Sequence, residues 1–291
     1  MHINMKYYIV TIGAIFIALG IGMLVGFNLN YDQELSKQQA SMIKDLDSKF
    51  EVLKTTNDNL EENLTNLNKD YDEAIAIINQ NSDKIIKDSL VNKNIGIIST
   101  NEKNDYSKEI ASIIQNAGGN VAFDIVLTSN IENKDALKKA SEELSIELNN
   151  AKDVINYIAE SLKEEGSISK LENLQRLELI KVESIAENYI DYDSVVLTGG
   201  SEDKAQKENF DKIDEALITK LKEQNKYIVG VQKSNTKNSY IDLYSKNKIA
   251  TIDNIEEGIG KVSLTILLNE KGATGDFGRL ESAKQLFPYK K

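Results

Sequence analysis

The N-terminal region contains the feature that most constrains this chain. Residues 7–27 (YYIVTIGAIFIALGIGMLVGF) include no charged side chain over 21 positions. As a helix this segment spans roughly 30 Å, the thickness of a bilayer's hydrocarbon core. Gly20, Ile21 and Gly22 resemble a small-x-small cleavage site, which leaves a removed signal peptide as an alternative. The apolar run continues to Phe27, which favours a retained transmembrane helix at 7–27 after a short flank at 1–6.

The charges around this segment favour one orientation. Lys6 and the amino terminus precede it, and the first basic residue after it is Lys37, beyond Asp32 and Glu34. Basic residues concentrate on the cytoplasmic side of membrane helices. We therefore expect a single-pass protein of the cell membrane, with the N-terminus inside and most of the chain extracytoplasmic.

Small residues recur at every fourth position of the apolar segment. They are Ala14, Ala18, Gly22 and Gly26. A stripe of small residues lets two helix backbones approach closely in lipid, although small residues are common in membrane helices in general. The stripe predicts a packing face between two membrane helices.

Residues 28–93 contain neither glycine nor proline and show a heptad pattern. The predicted seam consists of Ile43, Leu46, Phe50, Leu53, Asn57, Leu60, Leu64, Leu67, Tyr71, Ala74 and Ile78. With Ile43 at position a, leucines recur at position d and Asn57 occupies a, an arrangement typical of parallel two-stranded coiled coils. We predict a coiled-coil stalk and a homodimer. An amphipathic helix folded back on its own domain is the alternative.

Residues 94–278 change to a pattern in which strands alternate with helices. Short apolar runs predict strands at 95–99, 121–127, 194–198, 227–231 and 249–252. This alternation predicts a three-layer α/β/α domain with a parallel sheet. Two helical patterns within 135–190, separated at Gly166, predict an inserted helical hairpin, and a tail follows at 279–291.

The loops after the predicted strands offer one candidate crevice. Open parallel sheets bind ligands beyond the carboxyl ends of their strands. Gly199 and Gly200 follow the third predicted strand, and Asp253 and Asn254 follow the fifth. The glycines fit either an anion-binding loop or a tight turn. Residues 100–105 after the first strand contain no glycine, so the dinucleotide fingerprint and the P-loop are both absent.

Composition excludes several classes of function. The net charge is -11, which argues against a nucleic-acid partner. The chain has no cysteine and one histidine, His2, so it contains no thiol nucleophile, histidine triad or histidine-rich metal site. The carboxylates that an enzyme might use are scattered, at Glu202, Asp203, Asp253 and Asp276. We therefore predict no catalytic residue, metal ligand or cofactor, and expect that the protein is not an enzyme.

Short segments along the whole chain carry a family resemblance. They are 5–10 (MKYYIV), 18–22 (ALGIG), 25–26 (VG), 117–119 (AGG), 127–128 (LT), 195–197 (VVL), 251–254 (TIDN), Gly260, 275–278 (GDFG) and Pro288. Together with the coiled coil, these segments resemble the MctB family of bacterial copper transporter proteins. The pair 251–254 and 275–278 is the most specific part of the resemblance.

The resemblance implies a role in copper transport or homeostasis and partners in the cell envelope. Copper(I) is held by Cys, Met and His side chains. The chain offers only His2, Met1, Met5, Met23 and Met42. This inventory does not favour copper binding, so we expect a dimeric cell-envelope scaffold with a protein partner that the sequence does not identify. The alternative is a ligand-binding or enzymatic domain that uses the crevice.

Overall fold

A computed structural model describes residues 5–201 and 206–289, without the side chains of 29–33, 206 and 207. Contacts divide the chain into two compact units, Met1–Asp72 and Glu73–Lys291. One helix, α1 (Met5–Ile86), belongs to both units. Its length follows from the sequence, because no glycine or proline interrupts residues 28–86. Asp88 and Asn92 just beyond it adopt positive φ, a conformation that Asp and Asn tolerate better than most residues.

The first part of α1 is apolar on all sides. Met5–Asn28 is the one described helical segment that is long and apolar enough to cross a membrane, and none of it is buried. An apolar helix without a buried face is typical of a segment that lipid surrounds. The N-terminal apolar helix that the sequence predicts is therefore present and is compatible with a membrane anchor.

The second unit is built on a seven-stranded sheet with the strand order β3-β2-β1-β4-β5-β6-β7. Its strands are β1 (Asn94–Ser99), β2 (Asn120–Leu127), β3 (Ile180–Ile185), β4 (Ser194–Thr198), β5 (Tyr227–Val231), β6 (Ala250–Ile252) and β7 (Asp276–Phe277). All pairs are parallel except β2 with β3. The α/β class and the five predicted strands are thus confirmed, and two edge strands are added.

Helices connect these strands. They are α2 (Ser107–Asn116), α3 (Lys134–Leu144), α4 (Ala151–Ser161), α5 (Ile168–Arg176), α6 (Gln206–Lys212), α7 (Asp214–Glu223), α8 (Ile241–Lys246) and α9 (Gly258–Glu270). Successive residues of β1 enter two separate hydrophobic clusters. Ile98 packs in a cluster with Val154 of α4 and Leu217 of α7. Ile97 packs in another with Ile114 of α2 and Leu264 of α9.

The region predicted as a helical hairpin differs from that prediction. Residues 135–190 hold three helices and the antiparallel strand β3. Ser145 in the left-handed region ends α3, and Gly166 (φ +80°) separates α4 from α5. The second predicted helical pattern includes Ile180, three positions after Leu177. Ile180 lies instead on β3, where it pairs with Leu127 of β2.

The end of α1 packs into the second unit. Ile75 and Ile86 are buried, and Ile78 is half-buried against the cluster that includes Ile97. Residues 73–86, part of the stalk predicted at 28–93, are thus grouped by their contacts with the α/β domain.

Candidate functional site

A polar cavity lies at the carboxyl ends of the central strands. From β1 the chain continues to β2 on one side, and from β4 it continues to β5 on the other side. The connections after these two neighbouring strands therefore diverge. Ligands of open α/β sheets bind at such a point. The cavity has a volume of about 140 Å³. Its polar wall includes Thr100 after β1, Thr128 after β2, and Asp214 at the start of α7.

Asp214 lies at the back of this cavity. Its side chain is buried, and Oδ1 accepts hydrogen bonds from Thr100 Oγ1 at 2.9 Å and from the Tyr244 hydroxyl at 2.6 Å. Burial raises the pKa of Asp214 to about 7, although these two hydrogen bonds oppose the shift. Near neutral pH the carboxyl group is therefore present in both protonated and ionised forms.

Ion pairs surround the mouth of the cavity. Glu102 Oε1 accepts hydrogen bonds from the Ser129 amide at 3.1 Å and from its hydroxyl at 2.8 Å. Lys181 Nζ lies 3.6 Å from Glu102 Oε2. Burial acts to raise the pKa of Glu102, but the Ser129 hydrogen bonds and Lys181 outweigh it and lower the pKa. Glu102 is therefore ionised and locally neutralised.

The predicted crevice glycines lie beside this cavity, in a tightly packed turn. The Gly199 amide donates to the Val231 carbonyl at 2.8 Å, and its carbonyl accepts from the Tyr106 hydroxyl at 3.0 Å. Gly200 has φ +98°, and a Cβ there would be 2.4 Å from Thr236 Cγ2. Because the Gly199 amide is already bonded, the geometry is that of a tight turn.

Asp253 holds the C-terminal segment by hydrogen bonds, and Asn254 packs beside it. Asp253 Oδ1 accepts from the Arg279 amide at 3.1 Å, and Oδ2 accepts from the Ser282 hydroxyl at 2.7 Å. A Cβ on Gly278 would be 2.8 Å from Asn254 Oδ1. These predicted crevice residues do not line the 140 Å³ cavity. They pack where the TIDN and GDFG segments meet, so these two segments of the resemblance form one structural contact.

The other predicted residues lie on α1. Ala14, Ala18, Gly22 and Gly26 are exposed. The seam residues Leu46, Leu53, Leu60 and Leu67 are each 60–68% exposed. A shallow apolar groove of about 380 Å³ follows Phe50, Leu53, Asn57 and Leu60. The seam up to Leu67 is thus a solvent-facing apolar stripe, whereas Ile78 at its end packs on the α/β domain.

Comparison with known families identifies the group to which the chain is related. The family described as "Copper transport outer membrane protein, MctB" matches residues 2–288. The chain belongs to the MctB family. No curated protein and no solved structure matches this MctB-family chain. The family resemblance seen in the sequence is thereby confirmed over nearly the whole length.

The family description names copper, which would need metal ligands gathered at one place in this MctB-family chain. Among residues 5–201 and 206–289, no three His, Cys, Asp or Glu side chains are placed to hold a metal ion. Met1, His2, Glu202 and Asp203 lie outside the described residues. Asp276, another carboxylate considered from the sequence, binds Thr251, Ser245 and Lys284. Its carboxylate is therefore engaged in internal contacts.

Sequence reasoning missed Thr100, Thr128 and Asp214 as members of the cavity. Thr100 and Thr128 each follow directly after a buried strand, which is the available signal. Asp214 begins an amphipathic helix 16 positions after β4 ends at Thr198, and no spacing rule links it to the sheet edge. Its position becomes apparent only once the helix is packed.

Proposed function

We propose that this MctB-family protein is a single-pass, parallel homodimer of the cell membrane. Its coiled-coil stalk would carry a three-layer α/β/α head outside the cytoplasm, and the dimer would act as a scaffold for a cell-envelope protein partner. The net charge of -11 disfavours nucleic acid as the partner. The proposal needs no catalytic residue.

The exposed heptad stripe carries this proposal. Four leucines at position d face solvent along one continuous helix. Burying a leucine side chain contributes about 1.5–3 kcal/mol, so leaving the stripe exposed is unfavourable. A second copy is the occupant that a heptad pattern specifies, because leucines at d insert between four residues of a facing helix. The groove beside Phe50, Leu53 and Leu60 has the position expected of such a hole.

Asn57 supports a parallel, in-register pair. It occupies position a within the groove, and its Nδ2 donates to Glu61 Oε1 on the same helix at 3.3 Å. A single polar residue at a reduces stability but fixes register and oligomeric state. In a parallel dimer the two Asn57 side chains would lie opposite each other.

The membrane segment supports the same symmetry. A Cβ added at Gly22 or Gly26 would meet nothing within 4 Å. The small-residue stripe is therefore open for a second membrane helix. Pairing there would align two stalks in the parallel direction.

Cysteine crosslinking in the full chain tests this proposal. The protein contains no cysteine, so one introduced thiol reports on one position. Leu60→Cys at d is expected to form disulfide-linked dimers under mild oxidation in the membrane. Glu62→Cys, at the outward f position, is the matched control and should stay monomeric. A monomeric Leu60→Cys protein, or equal crosslinking at both positions, would contradict the parallel dimer.

Copper homeostasis is the second candidate, and the family description is the observation that favours it. Among the described residues, His, Cys, Asp and Glu side chains form no metal-binding group, which favours a role that is indirect or within a larger assembly. Deleting the gene should then change copper tolerance and cellular copper content. Unchanged values for both would remove this candidate, whereas the dimer proposal would stand.

A further inference from the structure

We propose that the cavity at the carboxyl ends of β1 and β2 binds a small, neutral molecule rich in hydroxyl groups, such as a monosaccharide or a short polyol. This site is independent of the coiled-coil dimer. The inference rests on the size of the cavity, its hydrogen-bonding groups and its charge.

The size limits the ligand to about one ring. The cavity volume is about 140 Å³. A closed cavity of roughly 150 Å³ accommodates a benzene ring. A six-membered sugar ring fits this scale, since the cavity also opens to solvent, whereas a nucleotide does not.

The polar wall retains hydrogen-bonding capacity. Thr100 donates its hydroxyl proton to Asp214, and its oxygen can still accept. Asn101 Nδ2 donates one hydrogen to the Gly200 carbonyl oxygen, 3.3 Å from the nitrogen. Its second hydrogen remains for a ligand. The Asn209 carboxamide has no hydrogen-bond partner among the described residues. The wall therefore offers both donors and acceptors, as a hydroxyl group requires.

Asp214 extends this capacity. The carboxyl lies at the back of the cavity, fixed by Thr100 and Tyr244. Because its pKa is about 7, its protonated form can donate a hydrogen bond and its ionised form can accept one. A ligand hydroxyl, which does both, is compatible with either form.

The charge of the wall disfavours other ligands. The charged lining residues are Glu102, Glu132, Asp214 and Lys103. Two of these three acids are paired with lysines, so the wall carries little net charge and no cluster of free cations for a phosphate. Lys181 lies 3.6 Å from Glu102, and Lys212 Nζ lies 3.4 Å from Glu132 Oε1. Since these lysines neutralise the two glutamates, the wall does not demand a cation.

The apolar part of the wall suits a sugar ring. Leu127, Ile213 and Tyr240 line the same cavity. Small-molecule sites combine apolar surface with a few placed polar groups. The C–H face of a pyranose can pack on these side chains while its hydroxyls reach Thr100 and Asn209.

Titration calorimetry of the full chain in lipid nanodiscs, which contain no sugar detergent, tests the inference. The neutral probes are glucose, N-acetylglucosamine and glycerol, and phosphate and putrescine are the charged probes. We expect saturable binding of a neutral probe with a dissociation constant on the order of 1 mM. Asn209→Ala should weaken it about three- to tenfold. Asp214→Asn, which keeps an acceptor for Thr100 and Tyr244, should also weaken it.

Asn173→Ala is the matched control. Asn173 is also half-buried on a helix, and its carbonyl accepts from Leu177 as that of Asn209 accepts from Ile213, but it does not line the cavity. The Asn173→Ala protein should bind the neutral probe with the same affinity as the parent. The inference is overturned if no neutral probe saturates, if all variants bind equally, or if phosphate or putrescine binds there instead. Circular dichroism of each variant verifies its folding.

Discussion

Gly258 lies against the backbone of Asn79, so closely that a Cβ on the glycine would be 2.6 Å from the Asn79 Cα. The added atom would also lie 2.9 Å from the Ile78 carbonyl oxygen. This contact joins the start of α9 to the end of α1. Only a residue without a side chain permits the approach.

Gly258→Ala should therefore lower the free energy of unfolding by about 1–3 kcal/mol, because the helices must move apart. Thermal unfolding followed by circular dichroism measures the change. Asn79→Ala is the control, because it removes the exposed side chain of Asn79 but leaves the backbone that Gly258 contacts. Its free energy of unfolding should stay within about 0.5 kcal/mol of that of the parent. Equal stability of Gly258→Ala and the parent would contradict an approach this close.

Asp214 should make stability depend on pH. Its pKa is raised from 3.8 to about 7 in the folded protein. Between these values the folded state binds more protons than the unfolded state, so this group lowers stability as pH rises from about 4 to 7. The side chain introduced by Asp214→Asn does not titrate. As pH rises over this range, the free energy of unfolding of this variant should therefore gain on the order of 2 kcal/mol relative to that of the parent.

The pH effect has a matched control in the exposed Asp242. Asp242→Asn makes the same exchange at an exposed position, so its stability is compared with that of the parent at the same pH values. Urea unfolding at pH 4.5 and 7.5 gives both comparisons. A constant difference for Asp214→Asn across this range would contradict the shifted pKa.

Asp253 should hold the C-terminal segment in place. Asp253→Ala removes the acceptor for the Arg279 amide and the Ser282 hydroxyl. Each hydrogen bond to a charged group contributes about 1.5–3 kcal/mol, so the segment should open locally. Trypsin should then cleave after Arg279 and Lys284 faster than in the parent. Ser282→Ala, which removes one of the two bonds, should give an intermediate rate, and unchanged cleavage in Asp253→Ala would contradict this role.

Asn57 should determine oligomeric state. Asn57→Leu removes the polar residue at position a, so it should stabilise the association and also permit assemblies larger than a dimer. Sedimentation of the full chain in detergent measures both effects. Asn66→Leu, at the outward position c, should leave the oligomeric state unchanged. A strictly dimeric Asn57→Leu protein of unaltered stability would contradict a seam at this residue.

Much of the fold could be predicted from local patterns. Ile95, Ile97 and Ile98 lie in a short apolar run, and β1 forms there. The edge strands could not be predicted in the same way. β3 begins at Ile180, whose spacing from Leu177 fits a helix, and its assignment depends on pairing with β2. β7 has two residues, too few for any period.

The candidate site was less accessible from the sequence. Gly199 and Asp253 follow strands, which is the signal that predicts a crevice residue, but both are engaged in internal hydrogen bonds. Asp214 and Asn209 reach the cavity through the packing of α6 and α7. Such positions depend on tertiary contacts, so the sequence alone does not single them out.

The contact between α1 and α9 also limits where the chain can be truncated or recombined with a relative. Ile75, Ile78 and Ile86 read as stalk in the sequence, yet they complete the hydrophobic packing of the α/β domain. A recombination or truncation point at the start of β1, where the sequence pattern changes, would strip that packing from the domain. Stalk and head are therefore not interchangeable modules, and exchange between relatives should succeed only when the crossover lies before Glu73.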